Sequence, residues 1–281
     1  MNDKQLTWEQ AVEWLREQPD QADLVRHCYY DDPIQEAAER FSLSQEWNAV
    51  ARILKKYLPG KVLDLGAGRG ISSYAFAKHG CHVVALEPDT SDIVGTGAIQ
   101  LLINETQLPI VLSKHHAEKL PFPDNSFDIV YGRAVLHHTK DLSMLCHEVK
   151  RVLKPRGVFL ATREHVISRH EDLQQFLDSH SLHYLYGGEN AFLLNEYISA
   201  IDSADMKLKT LLGPFDSVIN FAPTTHEQFR TQLSVSLKVY FGHKISFWFS
   251  QFEIIQKVYG RWLSEHSDEP GRHYSFLATK A

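Results

Sequence analysis

Apolar positions along the chain follow two periods in turn. Residues 4–18 place Leu6, Trp8, Ala11, Val12, Trp14 and Leu15 at helical spacing, and Pro19 ends the run. Ala22 to Tyr30 predicts a second helix. Asp31-Asp32-Pro33 then opens a third that runs to about Phe41, with Pro33 in its first turn behind an Asp cap. Ser44 caps a fourth, Gln45 to Tyr57. The pattern changes at Val62, where Val62 to Leu65 is a short unbroken apolar run of the kind buried on both faces of a sheet. Gly66, Gly68 and Gly70 follow it, and Ile71 to His79 returns to helical spacing before Gly80. Further strands are predicted at His82–Glu87, Ile110–Ser113, Asp128–Tyr131 and Val158–Thr162, with helices at Ser91–Leu102 and Asp141–Leu153 between them. Strands alternating with helices predict an α/β chain with a doubly wound sheet.

The last third is spread out. Asn195–Ala204 reads as a helix, Met206–Leu212 as a sixth strand and His273–Lys280 as a seventh. The expected organisation is a helical cap over 1–58, a core over 59–165, an insertion over 166–194, the rest of the core over 195–212 and 272–281, and a helical insertion over 213–271. The second insertion contains an aromatic stretch from Val239 to Ile255. It suits either a helix lying on a membrane surface or a helical hairpin packed on the domain. Its few cations favour the hairpin.

Composition narrows the classes. With 281 residues, 43% hydrophobic and 23% charged, the chain suits a globular protein. A net charge of −6 argues against a large nucleic-acid surface. Cys28, Cys81 and Cys146 form no CxxC pair and read as small buried residues, and His115-His116 lacks ligand spacing, so no metal is expected. The N-terminus is polar, no run is long and apolar enough to span a bilayer, and a cytoplasmic location is expected.

The candidate chemistry centres on Lys61-Val-Leu-Asp-Leu-Gly-Ala-Gly-Arg-Gly70. Its glycines let backbone approach a ligand closely, and the helix that follows presents free amides. Glu87, at the end of the next strand, can accept both hydroxyls of a ribose. A dinucleotide fingerprint wants glycine where Ile71 stands, which speaks against a nicotinamide oxidoreductase. The GxGxG turn with Asp64 two residues before it instead resembles class I S-adenosylmethionine (SAM) methyltransferases, which share a Rossmann-like, seven-stranded sheet. Ala117-Glu118-Lys-Leu-Pro-Phe-Pro-Asp-Asn-Ser-Phe-Asp128 resembles the adenine loop of their small-molecule, type 11-like members. Arg156 departs from the family's Pro-Gly-Gly but alters only a surface turn. The resemblance implies SAM as cofactor, with Asp64, Gly66, Ala67, Gly68, Glu87, Pro88, Ala117 and Glu118 around it and Arg133 near its methionine end.

An acceptor alcohol or acid must lose a proton, and histidine is the side chain that titrates near neutrality. His137, His138 and His165 lie at the carboxyl ends of predicted strands and are the catalytic candidates, each weighed against an ordinary structural role. The first insertion reads His165-Val-Ile-Ser-Arg-His170, then His180-Ser-Leu-His-Tyr-Leu-Tyr-Gly-Gly-Glu-Asn190. Polar groups beside aromatic faces around two glycines suit a hydroxyl-rich ligand, so Tyr30, His170, His183, Tyr186, Glu189 and Asn190 are the substrate candidates, against a turn that satisfies only its own backbone. Tyr29, Tyr30, Arg40, Phe41 and Trp47 can close over the ligands, but packing between helices is the favoured role. This region resembles bacterial methyltransferases associated with sugars or glycan precursors. The leading expectation is O-methylation of a polar small molecule or glycan. Methylation of carbon or nitrogen on a quinone-like or amine substrate, and a SAM-binding regulator without catalysis, are the alternatives.

Overall fold

A computed structural model describes residues 6–180 and 182–281. Four helices precede the sheet: α1 (Trp8–Arg16), α2 (Ala22–His27), α3 (Ile34–Ser42) and α4 (Gln45–Ile53). Thr7 caps α1 and Ser44 caps α4 through their side-chain oxygens. Pro33 lies just outside α3, at its N-cap, rather than in its first turn. The core then alternates β1 (Lys61–Leu65), α5 (Ile71–Lys78), β2 (His82–Leu86), α6 (Thr96–Thr106), β3 (Ile110–Ser113), β4 (Phe127–Arg133), α7 (Leu142–Val152) and β5 (Leu153–Ile167). The first insertion forms α8 (Asp172–Ser179), α9 (His183–Tyr186) and a short strand β6 (Phe192–Leu193). It leads into α10 (Leu194–Ser203) and β7 (Met206–Leu212). The second insertion forms α11 (Val218–Phe221), α12 (His226–Ser250) and α13 (Glu253–His266), and β8 (Arg272–Lys280) ends the sheet.

The sheet order is β3-β2-β1-β4-β5-β8-β7, with β6 added beside β5. The first five of these run parallel, and β8 joins antiparallel between β5 and β7. The seven expected strands are present, and the two-residue β6 makes an eighth that the short Phe192–Leu193 did not announce. Order reverses between β1 and β4, which places the ligand crevice at their carboxyl ends. Helices cover both faces. Trp47, Phe41, Phe76 and Tyr131 pack one side, and Phe127, Val149, Phe159 and Tyr197 the other.

Several expectations shift. The helix predicted at Ser91 begins at Thr96, because the Asp92 and Ile93 amides are taken by Glu9 Oε1 of α1 at 2.9 and 3.1 Å instead of by a helix cap. Phe41 and Trp47 are fully buried among the helices, so packing is their role, and Arg40 is held by Asp31. Cys81 and Cys146 are buried, whereas Cys28 is only partly so. The aromatic stretch does not pack on the domain. α12 is anchored by buried Phe229, stacked on Phe221, and α13 by Ser264, whose hydroxyl accepts the Phe215 amide at 2.9 Å, while Tyr240, Phe241, Phe247, Trp248 and Trp262 are exposed. No helix among the described residues is long and apolar enough to cross a membrane.

Candidate active site

Two groups of residues meet at the carboxyl edge of the sheet. The first is the turn after β1. Gly66, Gly68 and Gly70 all take positive φ (54°, 54° and 80°), the region where a side chain is penalised. A methyl group on Gly66 would collide with the Val135 side chain. One on Gly68 would meet only the Trp8 ring at 3.7 Å and the Val94 carbonyl at 3.9 Å. So Gly66 is small because protein backs onto it, and Gly68 leaves a face bounded by α1.

Glu87 stands where β2 ends. Its carboxylate accepts the Gly68 amide at 2.8 Å and the Asp89 amide at 2.9 Å. Burial pushes its carboxyl up to about 7 despite those two donors. Asp64 lies behind the turn, accepts the Ser73 hydroxyl at 2.6 Å, and is likewise pushed up to about 7 by burial. The arrangement fits SAM. Each Glu87 oxygen takes one backbone amide and keeps a lone pair for a ribose hydroxyl. Buried Arg69 Nε and Ser91 Oγ, in the turn and in the loop after Glu87, have no protein partner. Ala67 is buried, its amide bonded to Leu86 O at 3.0 Å, and Pro88 is exposed beside Glu87.

The remaining cofactor candidates are placed differently. Glu118 Oε1 accepts the Thr139 hydroxyl at 2.9 Å, so its carboxylate ties the loop of half-buried Ala117 to the segment after β4. Arg133 is not free for a methionine carboxylate. It forms a two-pronged pair with Glu46 of α4, at 2.6 and 3.1 Å, under the rings of Tyr29 and Phe41. Burial opposes ionisation of Glu46, but the Arg133 guanidinium, with Arg163 beyond it, holds its carboxyl below the usual range.

The second group is built from histidines. β4 ends at Arg133, and a short turn, Leu136–His138, follows it. Ala134, just past the end of β4, and Arg163, at a register shift within β5, both take φ near +60° (55° and 60°) and bend the chain there. Glu164 is fully buried and accepts three donors: the Val135 and His137 amides, both at 3.1 Å, and His137 Nδ1 at 2.8 Å. His165 Nδ1 donates to the Gly271 carbonyl at 2.8 Å, and His138 Nδ1 to the Gly188 carbonyl at 2.9 Å. His137 lies 4.2 Å from the His138 ring and 4.5 Å from the His165 ring, centroid to centroid. Glu189 closes the group, with Oε2 3.5 Å from His137 Nε2 and Oε1 accepting the Tyr186 hydroxyl at 2.5 Å.

Electrostatics divide these imidazoles. Burial lowers His137, but Glu164 and Glu189 outweigh it and push it up to about 9. Burial, with the charge of His137 beside it, pulls His138 down and His165 well down. Burial would raise Glu189, yet the histidines around it hold its carboxyl well below the usual range.

The structure thus brings together His137, His138, His165, Tyr186 and Glu189. Tyr30 reaches the same region from the cap, its hydroxyl accepting Trp8 Nε1 at 3.4 Å. His183 is half-buried on α9 with Nδ1 unpartnered, and Asn190 is half-buried next to Glu189. His170 is exposed, because β5 runs on to Ile167 and carries the residues beyond it out of the sheet before α8 begins. Sequence reasoning missed Glu164, His180 and His273. His273 is the direct cross-strand partner of His165, 5.0 Å away ring to ring, and the β5–β8 pairing that places it has no local signal.

Comparison with known proteins agrees with this geometry. Residues 63–161 match the family described as methyltransferase domain. The chain is 32% identical over 120 residues to the uncharacterized methyltransferase YcgJ of Bacillus subtilis, covering 42% of this chain and 46% of that one. It is 32% identical over 127 residues to the ubiquinone/menaquinone biosynthesis C-methyltransferase UbiE of Cellvibrio japonicus, covering 44% and 51%. The chain therefore spans about half the length of these relatives. Among solved structures, geranyl diphosphate C-methyltransferase from Streptomyces coelicolor matches with a TM-score of 0.57 at 14% identity, covering 98% of each chain, a likeness of fold. Residues 63–161 of the chain therefore carry a methyltransferase domain, and the glycine turn with Glu87 fits S-adenosylmethionine as its cofactor.

Proposed function

We propose that the whole chain is a methyltransferase that transfers the methyl group of SAM to an oxygen of a polar small molecule or glycan precursor. The observation that carries this reading is the set of polar groups, His138, His165, Tyr186 and Glu189, gathered at the carboxyl ends of β4 and β5 beside the glycine turn. When bound, SAM supplies an electrophilic methyl on a sulfonium. The backbone of Gly66 to Gly68 and the carboxylate of Glu87 hold the nucleoside end. Trp8 and Tyr30 of the cap exclude water from above, and the histidines and Glu189 align the acceptor hydroxyl with the methyl carbon. His138 is the proton acceptor, since Nδ1 is committed to Gly188 and Nε2 faces Glu189 at 3.9 Å. Positioning supplies most of the acceleration, on the order of 7 kcal/mol or more in well-oriented systems.

A second reading is methylation of carbon or nitrogen. It is favoured by the aromatic wall of Trp8 and Tyr30 and by the names of several relatives, among them UbiE and a glycine/sarcosine/dimethylglycine N-methyltransferase of Actinopolyspora halophila (35% identical over 109 residues, 36% of this chain and 18% of that one). Incubation of the chain with methyl-labelled SAM and a fractionated cell extract tests both. A labelled product cleaved as a methyl ether or ester supports the first reading, and a C- or N-methyl product supports the second. Failure to bind SAM overturns both.

A further inference from the structure

We propose that His137, His165 and Glu189 form a binding site for one divalent transition-metal cation of the zinc type. Their ligand atoms all lie within 4.8 Å of one another, and they are the one such group of three among the described residues. A tetrahedral zinc site with bonds of about 2.1 Å separates its ligand atoms by about 3.4 Å. His137 Nε2 and Glu189 Oε2 are already 3.5 Å apart, close to that separation, and the remaining pairs lie within 4.8 Å.

What distinguishes this group from a chance cluster is how each member is held from behind. Metal-binding imidazoles commonly donate their second ring nitrogen to a carboxylate or carbonyl, which fixes the tautomer and points the free lone pair inward. His137 does so to Glu164 and His165 to the Gly271 carbonyl, both at 2.8 Å. Glu189 is held in the same way by the Tyr186 hydroxyl. Glu164 is itself anchored by the backbone amides of Val135 and His137. Two imidazole nitrogens and one carboxylate select zinc, cobalt or iron over magnesium and calcium, which prefer oxygen throughout. Three protein ligands leave a fourth position open. The site stands on its own donor set. Its role, to bind and acidify an oxygen of the acceptor, rests on the methyltransferase reading given above, and there the ligand class is an oxygen donor such as a hydroxyl or enolate.

The test uses the untagged full chain, stripped with a chelator and reloaded. Zn2+ uptake is measured by elemental analysis and by competition with a chromophoric chelator, and Co2+ by its visible bands. Expected are one Zn2+ per chain, four- or five-coordinate Co2+ bands, and no displacement by equimolar Mg2+. His165→Ala and Glu189→Gln should each weaken Zn2+ by tenfold or more, and Glu164→Gln by roughly 10- to 100-fold with all three ligands present. His170→Ala, an exposed histidine, should leave uptake unchanged. Circular dichroism and SAM affinity report folding of each variant, and any variant that fails them is replaced by His137→Gln. A chain that binds SAM yet takes up neither Zn2+ nor Co2+ overturns the metal site and leaves the methyltransferase reading standing. So does Zn2+ uptake that His165→Ala and Glu189→Gln do not weaken. Uptake of Zn2+ by a chain that does not bind SAM supports the site and overturns only the role assigned to it.

Discussion

Glu164 receives the Nδ1 proton of His137 at 2.8 Å inside the protein, with both side chains about fully buried. The pair connects the end of β5 to the turn after β4, because Glu164 also takes the Val135 and His137 amides. Replacing Glu164 with Gln removes one charge from a buried pair and turns one acceptor oxygen into a donor that faces amides. The expected cost is about 3 kcal/mol of unfolding free energy. Denaturant melts of Glu164→Gln measure it, and a midpoint equal to wild type would remove Glu164 from its place as the anchor of this turn.

SAM affinity should rise with pH. Burial pushes Glu87 up to about 7, so below that pH it is protonated and gives up acceptor capacity that the ribose hydroxyls need. The ionised fraction climbs from about one-tenth at pH 6 to about nine-tenths at pH 8, and affinity should follow by roughly tenfold. Calorimetry at the two pH values checks this, with Glu87→Gln expected to be weak and flat. The sign for stability is opposite. A carboxyl whose folded value lies above its unfolded one favours folding at low pH, and that contribution fades as pH rises from about 4.5 through 7.

Gly66 and Val135 should be energetically coupled. A methyl on Gly66 meets Val135, and the positive φ adds strain of its own. Gly66→Ala is expected to cost about 2–4 kcal/mol. Val135→Ala opens the space, so the double variant should recover about 1 kcal/mol or more relative to the sum of the singles. Strictly additive losses in melts of the four proteins would show that the backbone strain, not the packing, forbids a side chain there.

The first of these sites was legible in the sequence and the second was not, for a physical reason. Val62–Leu65, the glycines and Glu87 sit within one βαβ unit, so strand period, turn chemistry and the terminal carboxylate appear side by side in the chain. The parallel strands, the helices on both faces and the antiparallel pair Met206–Leu212 and Arg272–Lys280 follow from the same local patterns. The histidine group depends on register. His137 and His165 meet because β4 and β5 pair with Arg133 beside Thr162, and His273 joins because β8 pairs with β5. The position of Arg133 at the end of β4 is local information and points toward the cofactor, whereas its capture by Glu46 of α4 depends on tertiary packing. Cysteines without a CxxC pair and a His115-His116 pair without ligand spacing give an expectation of no metal, whereas the site proposed above draws on a turn, a strand and a loop, which need no such spacing.

Trp8 should govern how fast the cofactor leaves. Its ring would lie 3.7 Å from a methyl group placed on Gly68 and meets Tyr30 edge-on at 6.4 Å between centroids, while the adjacent Glu9 holds the loop after β2. Trp8→Ala removes one aromatic contact of about 1 kcal/mol and unseals α1, so SAM dissociation should accelerate roughly tenfold. Stopped-flow displacement reads the rate directly. An unchanged rate would show that α1 does not cover the bound cofactor.

The two ends of the second insertion should respond oppositely to truncation. Phe229 is buried at 4% exposure and stacks on Phe221 at 5.0 Å with rings 6° from parallel, so it fastens α12 to the body. Phe229→Ala is expected to cost about 3–4 kcal/mol. Tyr240 and Trp248, at 79% and 58% exposure, lie on the outer part of the same helix, beyond the kink at Gly242 in the case of Trp248. The body packs little against them, so Tyr240→Ser and Trp248→Ser should change stability by less than about 0.5 kcal/mol while raising solubility. Thermal melts at two protein concentrations check both halves. A loss of several degrees in Trp248→Ser that grows on dilution would mean that this face is buried against a second copy, and a loss independent of concentration would mean that the hairpin folds back onto its own chain.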